Sequence, residues 1–227
     1  MPGKLVVTQD GSHSVSVDGS LLTYHSTFGA ITESRHVFIH AGLDEVLKNK
    51  KQISIFEMGF GTGLSALLTL ITAGETGAGI SYETTETDPL DDDILQRLNY
   101  SSVLNKTEYQ PILIAMHHCA WDTEVYITPE FRLYKRKTDI REIEFSRKYN
   151  LVYYDAFDPV SQPELWTTDI FKKIYHVMYP YGILVTYSSK GAVRRAMQEA
   201  GFRIEKLPGP KGKREFTRAT AIKEIDS

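Results

Sequence analysis

The chain has 227 residues, 41% apolar and 24% charged, and a formal net charge of -3. That length holds one well-buried domain with a modest extension and excludes two average domains with separate cores. The composition excludes a disordered chain, and no apolar run approaches the roughly 20 residues a spanning helix needs.

The opening MPGKLVVTQDGS lacks the basic and apolar regions of a signal peptide, and a single cysteine, Cys119, forms no internal disulfide. The expected address is cytoplasmic, with no membrane partner. In HSVSVDGSLLTY the alternation of Val15 and Val17, the Asp18-Gly19 pair and Leu21 predict a β-hairpin. A helix follows from about residue 32 to 48, with Ile39, His40, Leu43, Val46 and Leu47 near one face. Residues 1–50 thus read as a hairpin-and-helix extension before a main unit spanning 51–227.

From Gln52 onward strands and helices alternate. ISIFEM is a strand, and Leu64, Leu67, Leu68 and Ile71 mark a helix. GISYETTE is a strand, and PLDDDILQRLNY a helix carrying Leu90, Ile94 and Leu98. EVYITPEFRLYKRK reads as a hairpin turning near Pro129, and LVYYD as a buried strand. PELWTTDIFKKIYHVM is a helix with Ile170, Ile174, Val177 and Met178 inward; ILVTY is a strand and AVRRAMQEA a helix with Val193, Ala196, Met197 and Ala200 on one side. FRIEKL and EFTRATAI close the chain around PGPKGKR. Such alternation implies an α/β fold with a mostly parallel sheet, and two final strands with no helix between them pair antiparallel.

Gly59, Gly61 and Gly63 fall between a strand and a helix, where residues without β-carbons let backbone N–H groups approach a ligand. Gly61 to Ala66 also fits the dinucleotide pattern G-x-G-x-x-A, which keeps an NAD(P)-linked oxidoreductase as an alternative. Glu57, two residues before Gly59, would repel a pyrophosphate and attract an ammonium group. Acids also stand near later strand ends, where ligands bind in open parallel sheets: Glu86 placed for a ribose diol, Asp139 for an adenine amino group, and Asp155. S-adenosylmethionine presents all the matching groups. Adjacent His117, His118 and Cys119 point in different directions and lack a matching cluster, so no metal is assigned.

One stretch is more specific. Asp155-Ala156-Phe157-Asp158-Pro159 through Pro163-Glu164-Leu165-Trp166-Thr167, then Ser188 to Gly191, Val193-Arg194-Arg195, Ala200-Gly201-Phe202 and Lys213-Arg214-Glu215, resembles the methyltransferase domain of the MnmC-type tRNA enzymes. The opening Tyr24-His25-Ser26, Gly29 and Glu33-Ser34-Arg35-His36-Val37-Phe38 is similar too. The resemblance implies a class I, S-adenosylmethionine-dependent, Rossmann-like methyltransferase domain acting on the aminomethyl group of a wobble 5-aminomethyl-(2-thio)uridine. It also implies the tRNA anticodon region as partner and a separate enzyme that supplies the amine. Larger members carry a flavin-dependent domain; no second dinucleotide fingerprint precedes Ser227, so methyltransferase activity without FAD is expected. Ser65, the Lys137-Thr138 before Asp139, and Pro180-Tyr181-Gly182 depart from the family pattern.

The expected cofactor residues are Glu57, Gly59, Gly61, Thr62 and Gly63 of the loop, the acids Glu86, Asp139 and Asp155, and the walls Tyr24, Phe60 and Phe157, with Glu33 from the opening motif. Trp166 is expected in the core. Asp155 is the expected catalytic residue, orienting the amine more than deprotonating it, since an unshifted carboxylate with a pKa of about 4 is a weak base at neutral pH. Between residues 186 and 218 nine bases face three acids, a charge excess that suits a polyanion. Lys190, Gly191, Arg194, Arg195, Lys211, Lys213 and Arg214 are the expected substrate-side residues. A non-catalytic tRNA-binding module is the alternative from outside the enzymes.

Overall fold

The structure is a computed structural model, and it describes residues 3–17 and 22–223. Two strands, β1 (Gly3–Val7) and β2 (His13–Val17), pair antiparallel at the N-terminus. The Asp18-Gly19 turn lies outside the described residues. Beyond it Thr23 bridges back to Ser16 and the Tyr24 N–H donates to Val15 O (2.9 Å), so the chain does return along β2.

The predicted helix runs through three segments, α1 (Ala30–Ser34), a π-helix (Arg35–Leu43) and α2 (Asp44–Leu47). The wider π turn shifts the phase of the faces. His40, expected inward, is exposed, and Val37 and Phe38 are buried instead. A β-carbon at Gly42 would sit 3.1 Å from Val185 and 3.2 Å from Leu151, so the missing side chain lets this helix lie close on the sheet.

The main sheet has eight strands in the order β5-β6-β4-β3-β7-β8-β10-β9. These are β3 (Gln52–Met58), β4 (Gly79–Thr85), β5 (Glu124–Thr128), β6 (Phe131–Arg136), β7 (Tyr149–Tyr154), β8 (Met178–Thr186), β9 (Phe202–Pro208) and β10 (Glu215–Ala221). The centre is parallel, while β5 with β6, and β10 with both β8 and β9, are antiparallel, as the final strand pair predicts. Alternate residues of β7 serve two cores, as the two covered faces of a parallel sheet require. Leu151 and Tyr153 pack with α3 (Leu64–Thr76) and the N-terminal helix, in one cluster that also holds Val15, Ile31 and Phe38. Val152 and Tyr154 pack with α7 (Thr168–His176) and α8 (Gly191–Glu199).

Two helices differ from expectation. Residues 89–100 hold only the short α4 (Asp92–Leu95), followed by α5 (Tyr100–Val103). Between them the Asn99 amide is drawn to the β1–β2 loop, accepting from His13 N (2.8 Å) and donating to Gly11 O (2.9 Å), which takes the backbone out of helix. Ile94 and Leu98 are still buried, with Leu90 half-buried. Residues 163–178 divide into a 3-10 turn (Pro163–Trp166) and α7, because Thr167 is extended and its Oγ1 accepts from Ile170 N. Met178 consequently opens β8. An additional helix, α6 (Gln110–His118), fills the stretch whose pattern was silent.

Candidate active site

At the carboxyl ends of β3 and β7, where neighbouring strands diverge in connection, a cavity of 690 Å³ opens. Ligand clefts commonly enclose roughly 300–1,000 Å³. The turn from β3 into α3 forms its floor, with Gly59, Gly61 and Gly63 at φ 89°, 52° and 73°. A β-carbon at Gly61 would lie 3.0 Å from the Tyr24 ring, and one at Gly63 2.9 Å from His117 Nε2. The loop is therefore a cradle that side chains would fill.

Thr62 fixes this cradle from beneath. Its Oγ1 accepts from the Tyr100 hydroxyl (3.0 Å) and hydrogen bonds His25 Nε2 (2.8 Å), while its carbonyl accepts from His117 Nε2 (3.1 Å). Burial drives both histidines down to about 4, so they are neutral network members. His118 faces Asp92, and Cys119 donates to Met116 O, so the three neighbours turn to different partners.

Four of the acids that line the cavity are Glu57, Asp155, Glu86 and Glu33. Glu57 is buried, with Oε2 accepting from Thr84 Oγ1 (3.1 Å); burial and then the nearby Asp155 push its carboxyl well above the usual range. Asp155 is raised to about 8, by burial first and then by Glu33, with Lys213 opposing. Glu86 accepts from Gly61 N (2.9 Å), Thr87 N (2.8 Å) and Asp88 N (2.9 Å), and burial raises it. Glu33 accepts from Ser26 N (3.1 Å) and is ion-paired with Lys213. Glu57, Asp155 and Glu86, held towards their neutral forms by burial, are a receptive surface for a positively charged ligand and a poor one for a pyrophosphate.

Residues 121–222 match the sequence model of a family described as S-adenosyl-L-methionine-dependent methyltransferase. Across 97% of this chain and 70% of the other, the fold superposes on MNMC2 from Aquifex aeolicus with a TM-score of 0.81 at 26% identity. The chain has the fold of a class I S-adenosylmethionine-dependent methyltransferase. Spermidine synthase from Thermotoga maritima shares that fold at a TM-score of 0.54 and 13% identity, over 99% of this chain and 70% of its own. Among curated proteins, the chain is similar to the tRNA 5-methylaminomethyl-2-thiouridine biosynthesis bifunctional protein MnmC of Burkholderia multivorans, 29% identical over 231 residues and 94% of this chain. The chain spans about a third of the length of that relative, 34%.

Of the expected cofactor residues all but Gly63 line the cavity; Gly63 backs onto His117 and Leu113 instead. Tyr24 stands edge-on to Phe157 (5.2 Å between ring centroids), and both line the cavity with Glu57 and Asp155. Asp139 also lines the cavity, but its carboxylate is gripped by Arg141 through Nε (3.0 Å) and Nη2 (2.7 Å), which holds it below the usual range. Trp166 lies in the core against Tyr154 and donates to Phe157 O (2.9 Å). The cradle and the acids fit S-adenosylmethionine. Of the expected substrate-side residues Lys213 alone lines the cavity. Lys190 pairs with Asp158 (2.7 Å) and Arg194 with Glu215 (3.2 Å), whereas Arg195, Lys211 and Arg214 are exposed and Gly191 opens α8.

Sequence reasoning missed His25, Tyr100, Arg141 and Tyr187. The first lay within the quoted Tyr24-His25-Ser26 motif; Tyr100 and Tyr187 end segments read only as a helix and a strand, and Arg141 lies in a stretch given no element. Asp155 differs in its chemistry from the unshifted acid expected, because its strand end is buried among other acids.

Proposed function

We propose that this chain transfers the methyl group of S-adenosylmethionine to the primary amine of an aminomethyl group on the wobble uridine of tRNA. The observation that carries the reading is the pair Glu57 and Asp155 at the cavity floor beside the glycine cradle, in a chain similar to proteins named for methylaminomethyl-thiouridine biosynthesis. Bound S-adenosylmethionine supplies an electrophilic methyl group on a sulfonium centre.

The chain's own residues divide the remaining work. The loop from Gly59 to Gly63 and Glu57 bind the amino-acid end, Glu86 uses its free lone pairs for the ribose hydroxyls, and Asp139, steadied by Arg141, faces the adenine. Tyr24, Phe60 and Phe157 exclude water from the reacting groups. Asp155 accepts the proton that an arriving ammonium loses, freeing the nitrogen lone pair for attack. A carboxylate raised to about 8 is suited to that exchange at neutral pH, as an unshifted one is not. Alignment of donor and acceptor contributes up to roughly 7–11 kcal/mol in well-oriented systems.

Arg195, Lys211 and Arg214 contact tRNA phosphates, and a flipped wobble base enters past Lys190, Gly191, Arg194 and Lys213. We place the enzyme in the cytoplasm, downstream of a separate enzyme that delivers the amine. No helix among the described residues is long and apolar enough to cross a membrane. Incubation with labelled methyl donor and tRNA bearing the free aminomethyluridine, followed by nucleoside mass spectrometry, tests the proposal. One added methyl on that nucleoside alone is expected; label on other nucleosides, or none, rejects it.

A further inference from the structure

Above the cavity, the loop between β9 and β10 is held from several sides. His36 Nε2 hydrogen bonds Pro208 O (2.8 Å), Lys213 N donates to Pro210 O (2.9 Å), and Gly209 N to Arg214 O (3.1 Å). Gly212, at φ 87°, packs so closely on Phe28 that a β-carbon would meet its ring at 2.4 Å. This arrangement delivers Lys213 to the cavity wall. Its ammonium pairs with Glu33, itself only 7% exposed, and lies 4.3 Å from the centroid of the Tyr187 ring. Tyr187 in turn donates to Ala156 O (2.8 Å), next to Asp155. A long, flexible lysine side chain is thereby fixed at both its backbone and its charged end.

We propose that Lys213 is a positioning residue: its ammonium, fixed by Glu33 and the Tyr187 ring, sets the charge state in which Asp155 meets the acceptor amine. The inference rests on the amine-methylation reading and deepens it. A fixed cation beside the site steadies the ionised form of Asp155, the form able to accept the proton that the acceptor ammonium loses. Glu33 acts in the opposite sense on Asp155, as its negative charge must, and thus the pair sets a balance. Other groups that face this cluster are Glu57 from β3, Asp158 and its partner Lys190, neutral His25, and the Tyr187 hydroxyl.

The test follows the titration of the Asp155 carboxyl by carbon NMR in labelled protein, with Asp155→Asn supplying the assignment. Lys213→Met is expected to move its midpoint upward by about one to three pH units, the usual effect of losing a nearby opposite charge. Lys213→Arg is expected to restore it, and Glu33→Gln to move it downward. Opposite shifts from the two partners are not what a general loosening of the loop produces. A midpoint unmoved by both substitutions, or moved the same way by both, overturns the proposal. If Lys213→Met does not fold, the double variant Glu33→Gln/Lys213→Met, compared with Glu33→Gln alone, reads the same upward shift or its absence. The acidic limb of the kcat/KM profile for methyl transfer is expected to follow each midpoint. Should the wild-type protein transfer no methyl to any amine, the functional reading falls, while the titration still decides the role of Lys213.

Discussion

Asp155 is where single-residue chemistry is most exposed to experiment. Asp155→Asn keeps the shape and removes both the charge and the basic site, so turnover is expected to fall by about 10²–10⁴-fold, the usual worth of a positioned base. Affinity for S-adenosylmethionine, measured by calorimetry, is expected to change far less; near-normal turnover removes Asp155 from the mechanism. The folded-state value of about 8 lies above the 3.8 of the unfolded chain. Between those values the folded protein holds a proton the unfolded chain has lost, so stability falls as pH rises across that window. Asp155→Asn is expected to flatten this decline in denaturant unfolding from pH 5 to 8. A cationic ligand favours the ionised carboxylate, so donor binding is expected to release protons below pH 8, which calorimetry in buffers of different ionisation enthalpy reads directly. At Gly61, φ 52° and the Tyr24 ring at 3.0 Å both oppose a side chain. Gly61→Ala is expected to cost about 1–2 kcal/mol in stability and to weaken donor binding.

Among the elements, Thr167 is the clearest point of control. It separates the 3-10 turn from α7 and caps that helix, so Thr167→Ala is expected to cost about 1 kcal/mol in chemical denaturation while leaving methyl transfer intact. Its effect on the fold was readable in principle, since a Thr-Thr-Asp run is a helix start, but the apolar spacing of Ile170, Ile174 and Met178 masked the break. The β/α alternation, the last antiparallel pair and the glycine cradle were legible because their signals are local. The π-helix was not: a side-chain period of 3.6 is what sequence spacing reads, and a wider turn over Arg35–Leu43 leaves no separate mark in it. The division of residues 89–100 was hidden for a related reason, since Asn99 leaves the helix for partners 86 and 88 residues away. In the site, acids could be located from strand ends, but their protonation depends on burial among neighbours from four separate segments.

For the molecule as a whole, the charge excess near the C-terminus has a measurable counterpart. Arg195, Lys211 and Arg214 are exposed and stand apart from the donor cavity, so a triple Ala variant is expected to lower the slope of log affinity for tRNA against log salt by about 2–3. Donor affinity is expected to stay unchanged; an unaltered salt slope places the tRNA on another face. The N-terminal segment shares burial and site with the main unit: Val15, Ile31 and Phe38 share their cluster with Leu151 and Tyr153, and Tyr24 lines the cavity with Asp155. A protein trimmed to begin at Lys51 would keep every glycine of the cradle and every strand of the large sheet. It would nonetheless be a bowl with one side cut away, greasy where the missing helix had rested and open to solvent where the reaction needs dryness.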